Sequence, residues 1–347
     1  IENELKAPGS NEYGRVDRVA GWFLLARMYL NAQTWINENK YQEAYAYAVK
    51  VIADGHYPLA SDYREIFLAD NNTCKEIIWP LVQDGLRAQS SAGTNFYVKA
   101  FVNGPMDELY KTGVGSRGWG NVRAKVSLVD AFDADDVMFD GNDTWGNNKK
   151  DKRAQFMTAL PNQVKDTWDV NMDMTSTFTC GYGYIKWRNV TKEDELCPSG
   201  DAYTSIDFPL FRTADAYLMA AEAILRGANG TQSEALGYVN EVRTRAYMSG
   251  KYAKNGVRSD VSGEITANEL NLDFLLVERQ KELASELTRR TDLIRFGKYT
   301  KGNNWDWKNG VRLGADVDDK YNLFPIPESE LTNNPTLVQN DGYKVIK

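Results

Sequence analysis

Residues 17–34, DRVAGWFLLARMYLNAQT, decide the fold: Trp22, Leu25, Ala26 and Tyr29 stand at the Trp-x2-Leu-Gly-x2-Tyr spacing of a tetratricopeptide first helix, with Ala in place of Gly. A second helix follows at 40–54, where Tyr41, Ala44, Ala48 and Val51 share one face at a period of 3.6 residues. The small side chains Ala26, Ala44 and Ala48 let two helix axes approach closely, which predicts a helical hairpin formed around Trp22 and Tyr29. Gly55 and Pro58 end it.

A second hairpin is expected at 213–247. Tyr217, Ala220, Ala221 and Ile224 line its first helix, and Ala235, Val239, Val242 and Ala246 its second. Gly227, Gly230 and the box Thr231-x-x-Glu234 mark the stop and restart. A third, long helix is predicted from the box Thr266-x-x-Glu269 to about Gly297, with Leu272, Leu276, Leu283 and Leu287 on one face and charges on the other. Between the hairpins, residues 80–205 are rich in Gly, Asn, Asp and Thr, with Trp119, Trp145, Trp168 and Trp187 scattered through them. They read as loops with a few short strands, interrupting a superhelical wall. The fold class is therefore mainly α: tetratricopeptide-like hairpins form a scaffold that holds a large loop-rich insertion. The divisions are 1–75 (first hairpin), 76–207 (insertion) and 208–347 (second hairpin, long helix and tail).

Composition narrows the function. A net charge of -7 with both signs interspersed gives no footprint for nucleic acid or for an anionic membrane surface. No run approaches the ~18 apolar residues of a membrane-spanning helix, and IENELKAPGS at the start has neither the basic nor the apolar part of a leader, so a soluble chain is expected. His56 is the single histidine, which leaves Ser-His-Asp, Cys-His and zinc-histidine chemistry almost without material. No phosphate-cradling or dinucleotide-binding glycine motif occurs, and no cofactor or metal is expected. The acidic run Asp130, Asp133, Asp135, Asp136, Asp140 and Asp143 fits neither an EF-hand spacing nor better a glycosidase pair than a solvated loop. Three cysteines force no framework, although Cys180 and Cys197 lie where a bridge is permitted. Glu222, Arg243, Arg245, Glu278, Arg279, Glu282, Glu286 and Arg290 read as structural ion pairs between helices, with Glu286 and Arg290 as an i,i+4 pair.

The 9 Trp and 19 Tyr are the telling number, since several stand in polar loops, and the C–H face of a sugar ring complements the negative face of an aromatic ring. The candidate glycan surface is the segment from Phe96 to Arg123, with the preceding Asn95, and the loop of Trp145. Tyr110, Trp119 and Trp145 supply stacking rings, and Arg117, Asn121, Arg123, Asn103 and Asn147 supply donors to vicinal hydroxyls.

The tail NLFPIPESELTNNPTLVQNDGY at 322–343 resembles the signature of the SusD/RagB family of glycan-binding outer-membrane lipoproteins, through Pro325, Ile326, Pro327, Glu330, Asn334, Pro335, Leu337, Gln339, Asn340, Gly342 and Tyr343. The blocks FPLFRTADAYLMAAEAILRG at 208–227, YVNEVRTRAY at 238–247, ERQKEL at 278–283 and RRTDLIRFGKYT at 289–300 resemble further family motifs in the expected order. The last, followed by WDWKNG and NLFPIP, is closer to the starch-binding branch. Two departures stand out: Glu286-Leu287-Thr288 where the family has Glu-Gly-His, and Asp215 where Glu is usual. The resemblance implies a non-catalytic protein that captures an oligosaccharide, starch-like α-glucan by the branch, and hands it to a TonB-dependent, SusC-like transporter in the outer membrane. It also implies a lipid anchor at the cell surface and further helices on the N-terminal side of Ile1. The alternatives are a tetratricopeptide-type protein-binding scaffold and a glycoside hydrolase on a helical frame.

Overall fold

The computed structural model describes residues 2–103, 107, 111–137, 146, 148–157, 181–248 and 261–344. The chain divides into two compact units, Ile1–Leu287 and Thr288–Lys347. It is mainly helical, with four short strands among the described residues.

Helix α1 (Arg18–Ile36) starts where Asp17 accepts from the amides of Val19 and Ala20 at 2.9 and 3.2 Å, and it stops at Asn37 in the left-handed region. Helix α2 (Tyr41–Asp54) ends at Gly55, φ 78°. Both bounds agree with the sequence reading, but the centre of the hairpin differs. Val19, Phe23, Ala26 and Leu30 face Ala44, Ala48 and Val51, and Phe23 stacks on Phe211 at 4.6 Å. Trp22 and Tyr29 stay half-buried at the rim, where Lys50 sits 5.7 Å from the Trp22 ring and Tyr47 lies 5.8 Å from Tyr29.

Short helices α3 (Thr94–Lys99), α4 (Val126–Val129) and α5 (Ala134–Val137) lie in the insertion. Helices α6 (Thr213–Leu225) and α7 (Gln232–Met248) form the second hairpin, restarted by a reciprocal box: Thr231 N donates to Glu234 at 2.7 Å and Glu234 N to Thr231 at 3.1 Å. Ala216, Ala220 and Ala223 of α6 meet the alanines of α2, so the hairpins are neighbours although the insertion separates them in sequence.

The expected long helix is two. Helix α8 (Leu272–Leu283) takes Asn271 as its cap, and α9 (Arg289–Arg295) follows a break. The Thr266 and Glu269 box forms but closes a turn ahead of the helix. Ser285 and Leu287 interrupt the helix with φ of 61° each. Glu278, Arg279 and Glu282 are buried in ion pairs with other elements, as the sequence reading has them.

Strand β1 (Ile77–Leu81) pairs antiparallel with β4 (Phe208–Arg212), so the insertion leaves and returns through one ribbon. Strands β2 (Phe156–Met157) and β3 (Gly183–Tyr184) form a second, two-stranded pair. The insertion is more than loops, since it builds its own core. Trp187, 1% exposed, stacks on Phe208 at 5.5 Å and on Tyr97 at 5.4 Å. Phe132, Phe156, Tyr182 and Tyr184 form a second cluster.

Beneath that core lies a layer of buried ions. Arg153 reaches Asp151, Glu278 and Glu282 at 2.8, 2.6 and 3.2 Å. Arg212 reaches Glu76, Glu282 and Glu286 at 2.9, 2.6 and 2.6 Å. Arg245 pairs with Glu76 at 2.9 Å, Arg243 with Glu278 at 2.6 Å, and Lys186 with Glu286. Glu286 therefore serves Arg212 and Lys186 rather than a partner four residues along. Ions this buried are tolerated only as a nearly complete set.

In the second unit, helix α10 (Glu328–Asn333) precedes the tail. Gln339 bonds both ways with Ile326, at 2.8 and 2.9 Å, and Asn340 donates to Phe324 O at 2.7 Å. Side-chain amides thus replace the backbone pairing that Pro325 and Pro327 cannot make. Arg290 lies 4.2 Å from the Phe324 ring and donates to Tyr321 O at 2.8 Å.

Candidate functional site

Gly118 permits the approach that builds the site: a Cβ there would stand 2.6 Å from Val102 O. Residues 119–121 consequently lie along the end of α3 and the residues after it. Trp119 N donates to Lys99 O, Gly120 N to Val102 O and Asn121 N to Ala100 O, each at 2.8 Å. Trp119 is 39% exposed, and beside it Phe96 of α3 is 44% exposed. The two rings are 6.2 Å apart and inclined by 59°. They form an angled apolar surface in water, an arrangement that side-chain packing alone does not require.

A loop from far along the chain makes the neighbouring wall. Arg117 Nε donates to Asp201 at 2.9 Å, and both are substantially exposed. Lys99 Nζ donates to Ala202 O and lies 5.8 Å from the Tyr203 ring. Burial, with Arg117 beside it, pushes the Lys99 ammonium below its usual range, against the pull of Asp201. The loop is anchored from beneath: Thr94 Oγ1 bonds Thr204 at 3.0 Å and donates to Ile206 O at 2.8 Å, while Ser199 Oγ donates to Tyr203 O at 2.6 Å. Cys197 is a free thiol donating to Asn189 Oδ1 at 3.1 Å, and Cys180 lies outside the described residues.

Of the residues singled out from sequence, Arg117, Trp119 and Asn121 are exposed and stand within five residues of one another along the chain, and Asn103 forms a bridge with Trp119. Arg123 is partly buried two residues beyond Asn121. Tyr110, Trp145 and Asn147 lie outside the described residues, as do Asp140 and Asp143 of the acidic run. Asp136 of that run is buried, accepting from the amides of Lys150 and Asp151 at 2.6 and 3.1 Å. Among the described residues no group of His, Cys, Asp and Glu is arranged to hold a metal ion. Sequence reasoning missed Asp201, Tyr203 and Lys99, and named Phe96 only as the start of a segment.

The arrangement can do three things: cover the apolar face of a flat ring, donate through a guanidinium, and accept through a carboxylate. It has the composition of a polyol-recognition surface.

Comparison with known proteins agrees with that class. The SusD family profile matches residues 75–343, and the chain belongs to the SusD family. It is 33% identical over 374 residues to the starch-binding protein SusD of Bacteroides thetaiotaomicron, covering 99% of this chain and 63% of that protein, so the chain spans less than two thirds of that relative. A SusD-like protein from Bacteroides fragilis has the same fold with a TM-score of 0.66 and 22% identity, over 99% of this chain and 68% of its own. So does surface glycan-binding protein A of Bacteroides thetaiotaomicron in complex with laminarihexaose, with a TM-score of 0.60 and 22% identity over 97% and 67%. Among the described residues, no helix is long and apolar enough to cross a membrane.

Proposed function

We propose that this chain captures an oligosaccharide on the face of Phe96 and Trp119, in the insertion at 76–207, while the helices of 1–75 and 208–287 hold that face rigid. The observation that carries the reading is the pair of exposed rings inclined by 59° beside the exposed Arg117 and Asp201 pair. Rings tilted in this way suit a chain that curves, so an α-glucan of the starch type is favoured over a flat ribbon. Its similarity to a starch-binding protein points the same way. Tyr110, Trp145 and Asn147 contribute further contacts to the glycan, and Asn103, Asn121 and Arg123 supply donors to it. The glycan is bound without cleavage and passed to a TonB-dependent, SusC-like transporter at the outer-membrane surface, where the full protein is held by a lipid anchor.

Isothermal titration with malto-oligosaccharides, laminari-oligosaccharides and other plant and host glycans tests this. The expected result is strongest binding to α-glucan with no new reducing ends after incubation. Absence of binding across the panel, or turnover of any member, counts against it.

A further inference from the structure

A second surface is made of entirely different residues. Lys6, Asn11, Glu12, Arg15, Val16 and Trp79 line an open groove of ≈ 590 Å³, within the range of small-ligand sites. Its walls are fixed. Arg18 N donates to Lys6 O at 3.0 Å, Asn11 Nδ2 to Val16 O at 2.7 Å, and Gly9 N to Asp17 at 2.7 Å. The Tyr13 hydroxyl donates to the buried Asp207, whose other oxygen accepts from Gln83 N at 2.7 Å. Gly14, with φ of 82°, lets this wall press on Val82, the residue after β1, since a Cβ there would meet its side chain at 2.9 Å. On the other side the half-buried Trp79 indole is held edge-on by Phe211 at 5.2 Å. A groove held this way loses little ordering entropy on binding.

The chemistry of the lining selects the ligand class. Its large apolar face is an indole, which suits the C–H face of a sugar ring. Lys6 and Arg15 only donate, and Glu12, paired with Arg15 at 3.2 Å on the exposed rim, only accepts. An anion meets Glu12 and a cation meets Lys6 and Arg15, whereas a hydroxyl donates and accepts at once. We propose that this groove is a second carbohydrate site, taking a short stretch of glycan against Trp79. It shares the ligand class of the function proposed above and rests on that reading for the class alone.

The test uses the full chain with maltoheptaose and laminarihexaose as probes, read by saturation-transfer NMR and titration. In a Trp119→Ala background the groove leaves measurable binding. Adding Lys6→Ala, Glu12→Gln and Arg15→Ala, at exposed positions that leave the thermal midpoint in place, lowers that residual affinity on the order of fivefold. Residual binding indifferent to the three changes, or none at all after Trp119→Ala, overturns the groove. Binding undiminished by Trp119→Ala but weakened by the three changes keeps the groove and overturns the Phe96 and Trp119 face.

Discussion

The junction between α2 and α6 and the junction between insertion and scaffold hold the first unit together by opposite means. In the first, alanines from both helices bring two backbones close, and the contact is apolar throughout. In the second, Arg153, Lys186, Arg212, Arg243 and Arg245 meet Asp151, Glu76, Glu278, Glu282 and Glu286 away from water. The apolar contact is non-directional and forgiving of small shifts. The ionic one permits few alternatives, because each unpaired member is costly. The difference suits a protein whose binding face must sit at one fixed angle on a helical frame.

If that contrast is right, the largest loss follows Arg212→Ala, which removes the cation that Glu76, Glu282 and Glu286 share and leaves three buried carboxylates under-compensated. Destabilisation of about 3–5 kcal/mol is expected in chemical denaturation. Ala220→Leu, which overpacks the apolar junction, should cost about 1–3 kcal/mol. An Arg212→Ala effect smaller than that of Ala220→Leu would erase the distinction.

Titration sharpens it. Burial pushes the Glu282 carboxyl up, but Arg245, Arg212 and Arg153 outweigh it and hold it at about 2, below its ordinary 4.5. Its contribution is therefore present above pH 4.5 and is lost as pH falls toward 2. Burial lowers the Lys186 ammonium from 10.5 to about 8, with Arg212 adding to the push and Glu286 opposing it. Between about 8 and 10.5 the unfolded chain holds a proton that the folded chain has released, so this group's contribution rises with pH. Denaturation midpoints of Glu282→Gln and Lys186→Met against wild type across pH 3–10 should show, as differences, both contributions growing with pH, that of Glu282 below about 4.5 and that of Lys186 above about 8. A contribution that shrinks as pH rises through either window would contradict the assignment.

The smallest effect is a gain. Leu287 holds φ of 61° while 75% exposed, where a glycine carries no steric penalty. Leu287→Gly should stabilise by about 0.5–1 kcal/mol in the same assay, once the added freedom of the unfolded chain is subtracted.

The hairpins were legible because alternating small and large apolar residues at helical spacing leave one arrangement, and because Thr231 with Glu234 marks a boundary. The tail was legible as a pattern, and its reason is now visible in the amides of Gln339 and Asn340. Other features were hidden. Glu278 and Glu282 were readable as members of interhelical ion pairs, but their partner Arg153 was not, because it stands more than a hundred residues away. Trp187 read as a loop ring, because the core that covers it draws Phe67 from before the insertion and Phe208 from after it. The break after α8 falls at Ser285 and Leu287, neither of which announces a left-handed backbone. At the candidate site Trp119, Arg117 and Asn121 were readable from local composition. Asp201 was not, since it joins Arg117 from 84 residues away.

The central claim is that the inclined rings of Phe96 and Trp119 hold the glycan. Titrating maltoheptaose into wild type and into the Phe96→Ala/Trp119→Ala variant tests it most directly. The prediction is a loss of affinity of about tenfold or more, with the thermal midpoint nearly unchanged. Equal affinity in the two proteins would contradict it.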